Sequence, residues 1–268
     1  TMGTVKLEIE DNIAIVSFSN PPKGFLDSNM VAQTNNILDA IVTNDEVKAV
    51  IFTGQDEGVF IRHFSVEELI ASSAGLKAKR AKGGLAPRHS EAAGRLMWET
   101  IDNFPKPTLA AINGYCGGGG CELALACDIR LAGPGDYTIG QMEILVGILP
   151  GAGGTVRLAR LVGPGKALEW VLRGRTFYPE EAYANGLVNH YIEGDVLEAA
   201  KQMASEFVDK PAAALAAIKQ VIRASWGKTT REGINEEGDL FATLVETDPQ
   251  ALKLMQDYVA NDHPLKKI

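Results

Sequence analysis

The chain has 268 residues, 46% of them hydrophobic and 22% charged, which allows one large globular domain or two smaller ones with a sizeable core. Its 26 Lys plus Arg against 34 Asp plus Glu give a net charge of −8, which argues against nucleic acid or an anionic membrane as the main partner. No apolar run approaches the roughly 20 residues of a membrane helix. No basic-then-apolar signal opens the chain, so a cytoplasmic protein is expected; Thr1 ahead of Met2 reads as a tag remnant, at which a native targeting segment could have been removed.

Val5 to Glu10 and Ile13 to Ser19 alternate in polarity around Asp11-Asn12 and predict a hairpin, which Asn20-Pro21-Pro22-Lys23-Gly24 then stops. Ser28 is placed to cap a helix carrying Val31, Ile37, Leu38 and Ile41, and Val47 to Thr53 predicts a buried strand. Gly54 to Ser65 reads as a loop and Val66 as a helix start. Ser73 to Arg88, rich in Ala, Gly and Lys with little apolar periodicity, predicts a mobile surface loop. Glu91 to Phe104 returns to helical period, and Pro105-Lys106-Pro107 separates it from a strand at Thr108 to Ile112.

A glycine-rich turn and a helix follow, then a strand at Asp128 to Ala132, a turn at Gly133-Pro134-Gly135 and an extended piece at Tyr137 to Gly140. Beyond Pro150-Gly151-Ala152-Gly153-Gly154 the pattern is almost wholly helical: Thr155 to Leu161, Lys166 to Leu172, Pro179 to Asn185 and Val196 to Val208. No strand pattern remains after Pro211, and a stripe of Leu215, Ile218, Val221 and Ile222 suggests packing or assembly rather than chemistry. The alternation of strand, helix and strand places the chain in the α/β class.

Chemistry concentrates in Asn113 to Asp128, where Gly117-Gly118-Gly119-Gly120 runs into an apolar helix whose first turn carries the lone carboxylate of Glu122. Glycines let backbone N–H groups approach a ligand, and a helix N-terminus adds unpaired donors and partial positive charge, which together suit a developing oxyanion. Glu143, in Gly140 to Pro150, is a second carboxylate among apolar neighbours. Burial of that kind raises a carboxyl pKa toward the range of acid/base work. Taken singly, either glutamate is more simply a surface residue or an ion-pair partner; their place beside two glycine-rich turns favours the catalytic reading. Cys116, Cys121 and Cys127 form no Cys-x-x-Cys pair and have no histidine close in sequence, so small buried residues are preferred to a metal site or a disulfide framework.

The stretches Asn113 to Asp128 and Gly140 to Leu158, with Asn20-Pro21-Pro22, Ala182 to Val188 and a Phe241 to Tyr258 stretch containing Thr247-Asp248, resemble the enoyl-CoA hydratase branch of the crotonase superfamily. The resemblance spans most of the chain. It implies a crotonase-like spiral of ββα units over residues 1–195, with the active site, and a helical trimerisation region over 196–268. It implies assembly as a trimer or dimer of trimers and an acyl-coenzyme A substrate, with no metal or redox cofactor. Two backbone N–H groups, matching Phe64 and Gly119, would hold the thioester oxygen as an enolate forms. Two glutamates, matching Glu122 and Glu143, would position water and deliver a proton to the α carbon.

The chain departs from that pattern at the first oxyanion donor, where Phe60-Ile61-Arg62-His63-Phe64-Ser65 stands in place of Phe-Cys-Ala-Gly-Ala-Asp. Lys23, Phe25, Arg62 and His63 are the candidate substrate-binding residues. Lys23 and Arg62 are either contacts to the coenzyme A phosphates or ordinary solvated charges. His63 is either a further acid/base group in the pocket or a structural replacement in an interior turn, the second being preferred. Alternatives are another crotonase reaction, such as isomerisation, retro-aldol cleavage or thioester hydrolysis, and a non-catalytic assembly or RNA-associated protein on the same scaffold. No Gly-x-Ser-x-Gly elbow, phosphate loop or dinucleotide fingerprint is present.

Overall fold

A computed structural model of the chain describes residues 3–82 and 93–261. Strands β1 (Thr4–Glu10) and β2 (Ile13–Ser19) form the expected antiparallel hairpin. Asp11 and Asn12 both take positive φ, 48° and 66°, a conformation that short Asx side chains tolerate. Helix α1 (Ser28–Val42) is capped one residue earlier than predicted: the Asp27 carboxylate accepts from Met30 N at 2.8 Å and from Gly3 N at 3.1 Å, leaving Ser28 inside the first turn.

Strand β3 (Ala49–Gly54) is buried throughout, as a parallel strand covered on both faces must be. The next segment, read as a loop, contains β4 (Gly58–Ile61), which is held by parallel pairing with a distant strand and is too short to show alternation. Helix α2 (Val66–Ala81) corrects the expected mobile loop over most of its length. Its Ala, Lys and Glu are good helix formers, and the weak apolar periodicity reflects exposure rather than lack of structure. Residues 83–88 of that expectation lie outside the described residues.

Then come α3 (Ala93–Asp102), β5 (Thr108–Ile112), β6 (Gly114–Gly117), α4 (Gly119–Ala126), β7 (Ile129–Ala132) and β8 (Ile139–Gly140). A 3₁₀ turn at Glu143–Val146 leads to α5 (Gly154–Val162), α6 (Pro164–Arg173), β9 (Thr176–Phe177), α7 (Pro179–Ala184), β10 (His190–Tyr191) and α8 (Val196–Val208). The two-residue strands β9 and β10 escaped the sequence reading because each exists only through its partner.

The strands form two sheets, one in the order β1-β2-β3-β5-β7-β10 and one in the order β4-β6-β8-β9. Successive turns of the chain place β3, β5 and β7 in the first sheet and β4, β6 and β8 in the second, which is the spiral repeat. Period-two alternation divides the first sheet. Val16, Val50, Phe52 and Ala110 face the main core, while Ile15, Ile51, Leu109 and Leu131 face a second layer. Helix α8 covers that second layer with Val196, Ala200 and Ala204.

This packing sets the boundary between two compact units at Val208/Asp209, so α8 joins the spiral instead of the carboxy-terminal region that the sequence began at residue 196. The second unit comprises α9 (Ala212–Ala224), α10 (Thr230–Thr247) and α11 (Pro249–Ala260), none of which fully buries a residue. Among the described residues no helix is long and apolar enough to cross a membrane.

Candidate active site

Helix α4 is buried along its whole length between neighbours, so its amino end is fixed in place rather than frayed. Gly118 caps it with φ 47° and ψ −121°, a backbone conformation closed to residues with a Cβ. Gly119 opens the helix, and its N–H therefore lies outside the intrahelical ladder. Opposite it, Leu26 N donates to His63 O at 2.9 Å and Ser65 N to Leu26 O at 2.8 Å, which aligns the Phe64 peptide without using the Phe64 N–H. Among the described residues neither the Phe64 nor the Gly119 N–H makes a backbone hydrogen bond. The two donors are adjacent: a Cβ built on Gly119 would lie 3.5 Å from Phe64 N. Trp98 Nε1 donates to Gly119 O at 3.2 Å and steadies the same turn.

Both glutamates reach this place. Glu122, 4% exposed, projects from the first turn of α4, and its Oε1 accepts from Ala152 N at 2.6 Å and Gly154 N at 2.8 Å. The second glycine-rich turn thus anchors the carboxylate, with the amino end of α5 aimed at it. Gly154 has no alternative there, because a Cβ would come 2.9 Å from Glu122 Cγ and 2.6 Å from the Gln141 amide.

Glu143 stands at the start of the 3₁₀ turn, half-buried, and a Cβ on Gly118 would approach its Oε1 to 3.3 Å. The buried Gln141 amide lies against it, its NH₂ donating to Oε1 at 2.7 Å and Oε2 at 3.1 Å in the orientation that satisfies both ends of the amide. Burial pushes the Glu143 carboxyl up to about 7, the negative charge of Glu122 adding to the rise while hydrogen bonds from its own and Met142 backbone oppose it.

That raised value carries a stability consequence. The folded state holds a proton on Glu143 that the unfolded chain releases near 4.5, so stability is fully present below about 4.5 and declines as pH rises through about 7. Glu143→Gln is therefore expected to gain about 2 kcal/mol over wild type at pH 8, after allowing for partial solvent access, and close to nothing at pH 4. Urea unfolding at the two pH values measures it; an equal change at both would show that Glu143 titrates normally.

Glu122, Glu143, His63, Phe64, Gly119 and Trp98 line one cavity of about 370 Å³, with remaining walls that include Val66, Leu69, Val146 and Leu149. His63 turns its Nδ1 onto Phe64 O at 2.8 Å and packs on Phe25, ring centroids 4.2 Å apart. Lys23 pairs with Glu67 at 2.8 Å and lies over the Phe25 ring, while Arg62 is exposed over Tyr115. Lys23, Phe25 and Arg62 are not among the cavity-lining residues. The three cysteines form no disulfide and are packed in the core. Among the described residues no cluster of His, Cys, Asp and Glu has the makings of a metal site.

Sequence reasoning missed Trp98, Gln141, Ala152 and Gly154. Gln141 sits two positions before Glu143 and the other two fall in the quoted glycine-rich stretch, so the signal was present without a way to aim it. Trp98 carried none beyond an aromatic on a helix.

Two sheets linked by a spiral define a crotonase-type fold, and paired N–H groups and two carboxylates meet at one of its cavities. The chain matches the enoyl-CoA hydratase/isomerase family over residues 8–264 and belongs to that family. It is 33% identical over 249 residues to a probable enoyl-CoA hydratase of Bacillus subtilis (strain 168), covering 92% of each chain. It is also 33% identical over 249 residues to the 2,3-dehydroadipyl-CoA hydratase of Escherichia coli (strain K12), again covering 92% of each. The crystal structure of an enoyl-CoA hydratase from Polaromonas sp. JS666 superposes with a TM-score of 0.84 at 26% identity, covering 98% of this chain and 99% of that one.

Proposed function

We propose that the protein hydrates the α,β double bond of an enoyl-CoA thioester. The observation that carries this reading is the meeting of two carboxylates in unlike environments with two adjacent backbone N–H groups at one largely apolar cavity. The thioester oxygen sits on the Phe64 and Gly119 N–H groups, and each donor lowers the barrier to the enolate by about 3–4 kcal/mol. Glu122, anchored by N–H donors, takes a proton from water as the water oxygen bonds to the β carbon. The double-bond electrons move toward the thioester oxygen, and Glu143 gives its proton to the α carbon. Water is consumed whole, and the proton returns from Glu122 to Glu143 through solvent before the next turnover. A carboxyl titrating at about 7 suits that donor role near neutral pH.

The step as written draws on no metal or redox cofactor, coenzyme A entering with the substrate. Lys23 and Arg62 are assigned to its phosphates, with Phe25 and His63 flanking the entry. Assembly as a homotrimer or dimer of trimers, in the cytoplasm, completes the proposal. Its support is the exposure of Ile218, Ile222, Phe241 and Val259 in the second unit, more apolar surface than a small helical region leaves in water. A second reading, a different crotonase reaction, draws on His63 as an extra imidazole at the cavity.

The test follows loss of the conjugated thioester absorbance with short, long and aromatic enoyl-CoA substrates, using wild type beside Glu143→Gln. Turnover by wild type that falls about 10²–10⁴-fold in the variant is expected. Binding of these thioesters without hydration would transfer the assignment to the second reading.

A further inference from the structure

Arg157 lies on α5, behind the turn that holds Glu122, and is absent from the cavity wall. Its side chain is 11% exposed, an unusual setting for a guanidinium. Nη1 donates to Ala152 O at 2.7 Å. Nη2 lies 3.5 Å from Asp102 Oδ2, and the buried Nε meets Asp102 Oδ1 only as an ion-pair partner, at 3.4 Å and without an aligned hydrogen bond. Ala152 is consequently gripped from two sides: its carbonyl by Arg157, its N–H by Glu122 Oε1 at 2.6 Å. Gly153, the next residue, has φ 99°, and a Cβ there would fall 2.3 Å from Nη1, so the turn is shaped around the guanidinium.

From this geometry we infer that Arg157, held by Asp102, is a positioning residue for the Glu122 carboxylate, acting through the Ala152 peptide. The inference rests on the catalytic role proposed for Glu122. Asp102 ends α3, the helix that also supplies Trp98 to the Gly119 turn, so one helix braces both the carboxylate and the oxyanion donor. A buried charge serves here because a guanidinium is a rigid fork: it spans Asp102 on one edge and a carbonyl on another, where a lysine offers a single point. If the fork is lost, the 150–154 turn relaxes and Glu122 leaves the position from which it activates water. A misplacement of about 1 Å costs on the order of 10²-fold in rate.

The test compares wild type with Arg157→Lys, Arg157→Gln and Asp102→Asn, each checked for native fold by circular dichroism. The variants are expected to lose about 10²-fold in kcat for the best enoyl-CoA substrate, Arg157→Lys least, while KM moves less than about threefold. The ¹³C resonance of the Glu122 carboxyl, identified by its loss in Glu122→Gln, should shift in the same variants by more than that of Glu143, which feels the Glu122 charge only as a secondary influence after burial. A folded Arg157→Gln enzyme with wild-type kcat and an unmoved Glu122 resonance overturns the inference. A shifted Glu122 resonance in a protein whose wild type hydrates no enoyl-CoA would sink the hydratase reading and uphold the positioning role. Should Arg157→Gln fail to fold, Asp102→Asn, which keeps the guanidinium, reads the same two quantities.

Discussion

Glu122→Gln is expected to lower kcat for enoyl-CoA hydration by about 10²–10⁴-fold and to leave the affinity for a saturated acyl-CoA nearly unchanged. The reasoning starts from what the substitution keeps. A carboxamide oxygen still accepts from Ala152 N and Gly154 N, so the second glycine-rich turn stays in place and the cavity keeps its shape. What disappears is the basic oxygen that the proposed mechanism uses to take a proton from water, together with a negative charge beside Glu143. Loss of that charge should bring the Glu143 carboxyl down from about 7 toward the ordinary range, because Glu122 is one of the causes of its rise. Steady-state kinetics and a carboxyl ¹³C titration read the two consequences separately. A variant retaining more than a tenth of wild-type kcat would remove Glu122 from the role of base, whatever became of Glu143.

Gly120→Ala is expected to damage stability and activity together. A Cβ at this position would lie 2.2 Å from Ile61 O and 3.0 Å from Ile61 C, and backbone atoms have no rotamer through which to escape. Helix α4 must then move away from β4, at a cost of about 1–3 kcal/mol. The movement separates Gly119, which α4 carries, from Phe64, which follows three residues after Ile61. The two N–H groups proposed to hold the oxyanion should lose their spacing, and kcat should fall by more than the loss of folded protein explains. Gly233→Ala is the control: the position is helical, with open space around a new Cβ, so a gain of up to about 1 kcal/mol and unchanged kcat are expected. Thermal unfolding and kcat of the two variants side by side provide the measurement; matching behaviour would show that the α4–β4 approach is not what spaces the donors.

How much of this the sequence announced depends on the range of the interactions. The hairpin at Asp11-Asn12, the buried runs of β3 and β5 and the amphipathic helices are governed by local sterics and period, which neighbours in sequence reveal. The family, with the expectation of its spiral, was legible in the residues from Asn113 to Leu158. Strands β4, β9 and β10 were not, since four or two residues become a strand only when a partner arrives from far along the chain. Nor was the boundary at Val208, because the small residues Ala200 and Ala204 look neutral until a sheet presents a face for them to cover.

At the site, the sequence by itself determined which residues carry charge and which turns are free of side chains: Glu122, Glu143 and two runs of glycine. Only the tertiary structure decided what those groups do to one another. It set Glu122 on the N–H groups of Ala152 and Gly154, raised Glu143 by burying it near that charge, turned His63 onto the Phe64 carbonyl and placed Arg157 behind the anchoring turn. Orientation and dielectric belong to groups brought together across dozens of residues, and the order of the residues does not contain them until the chain has folded.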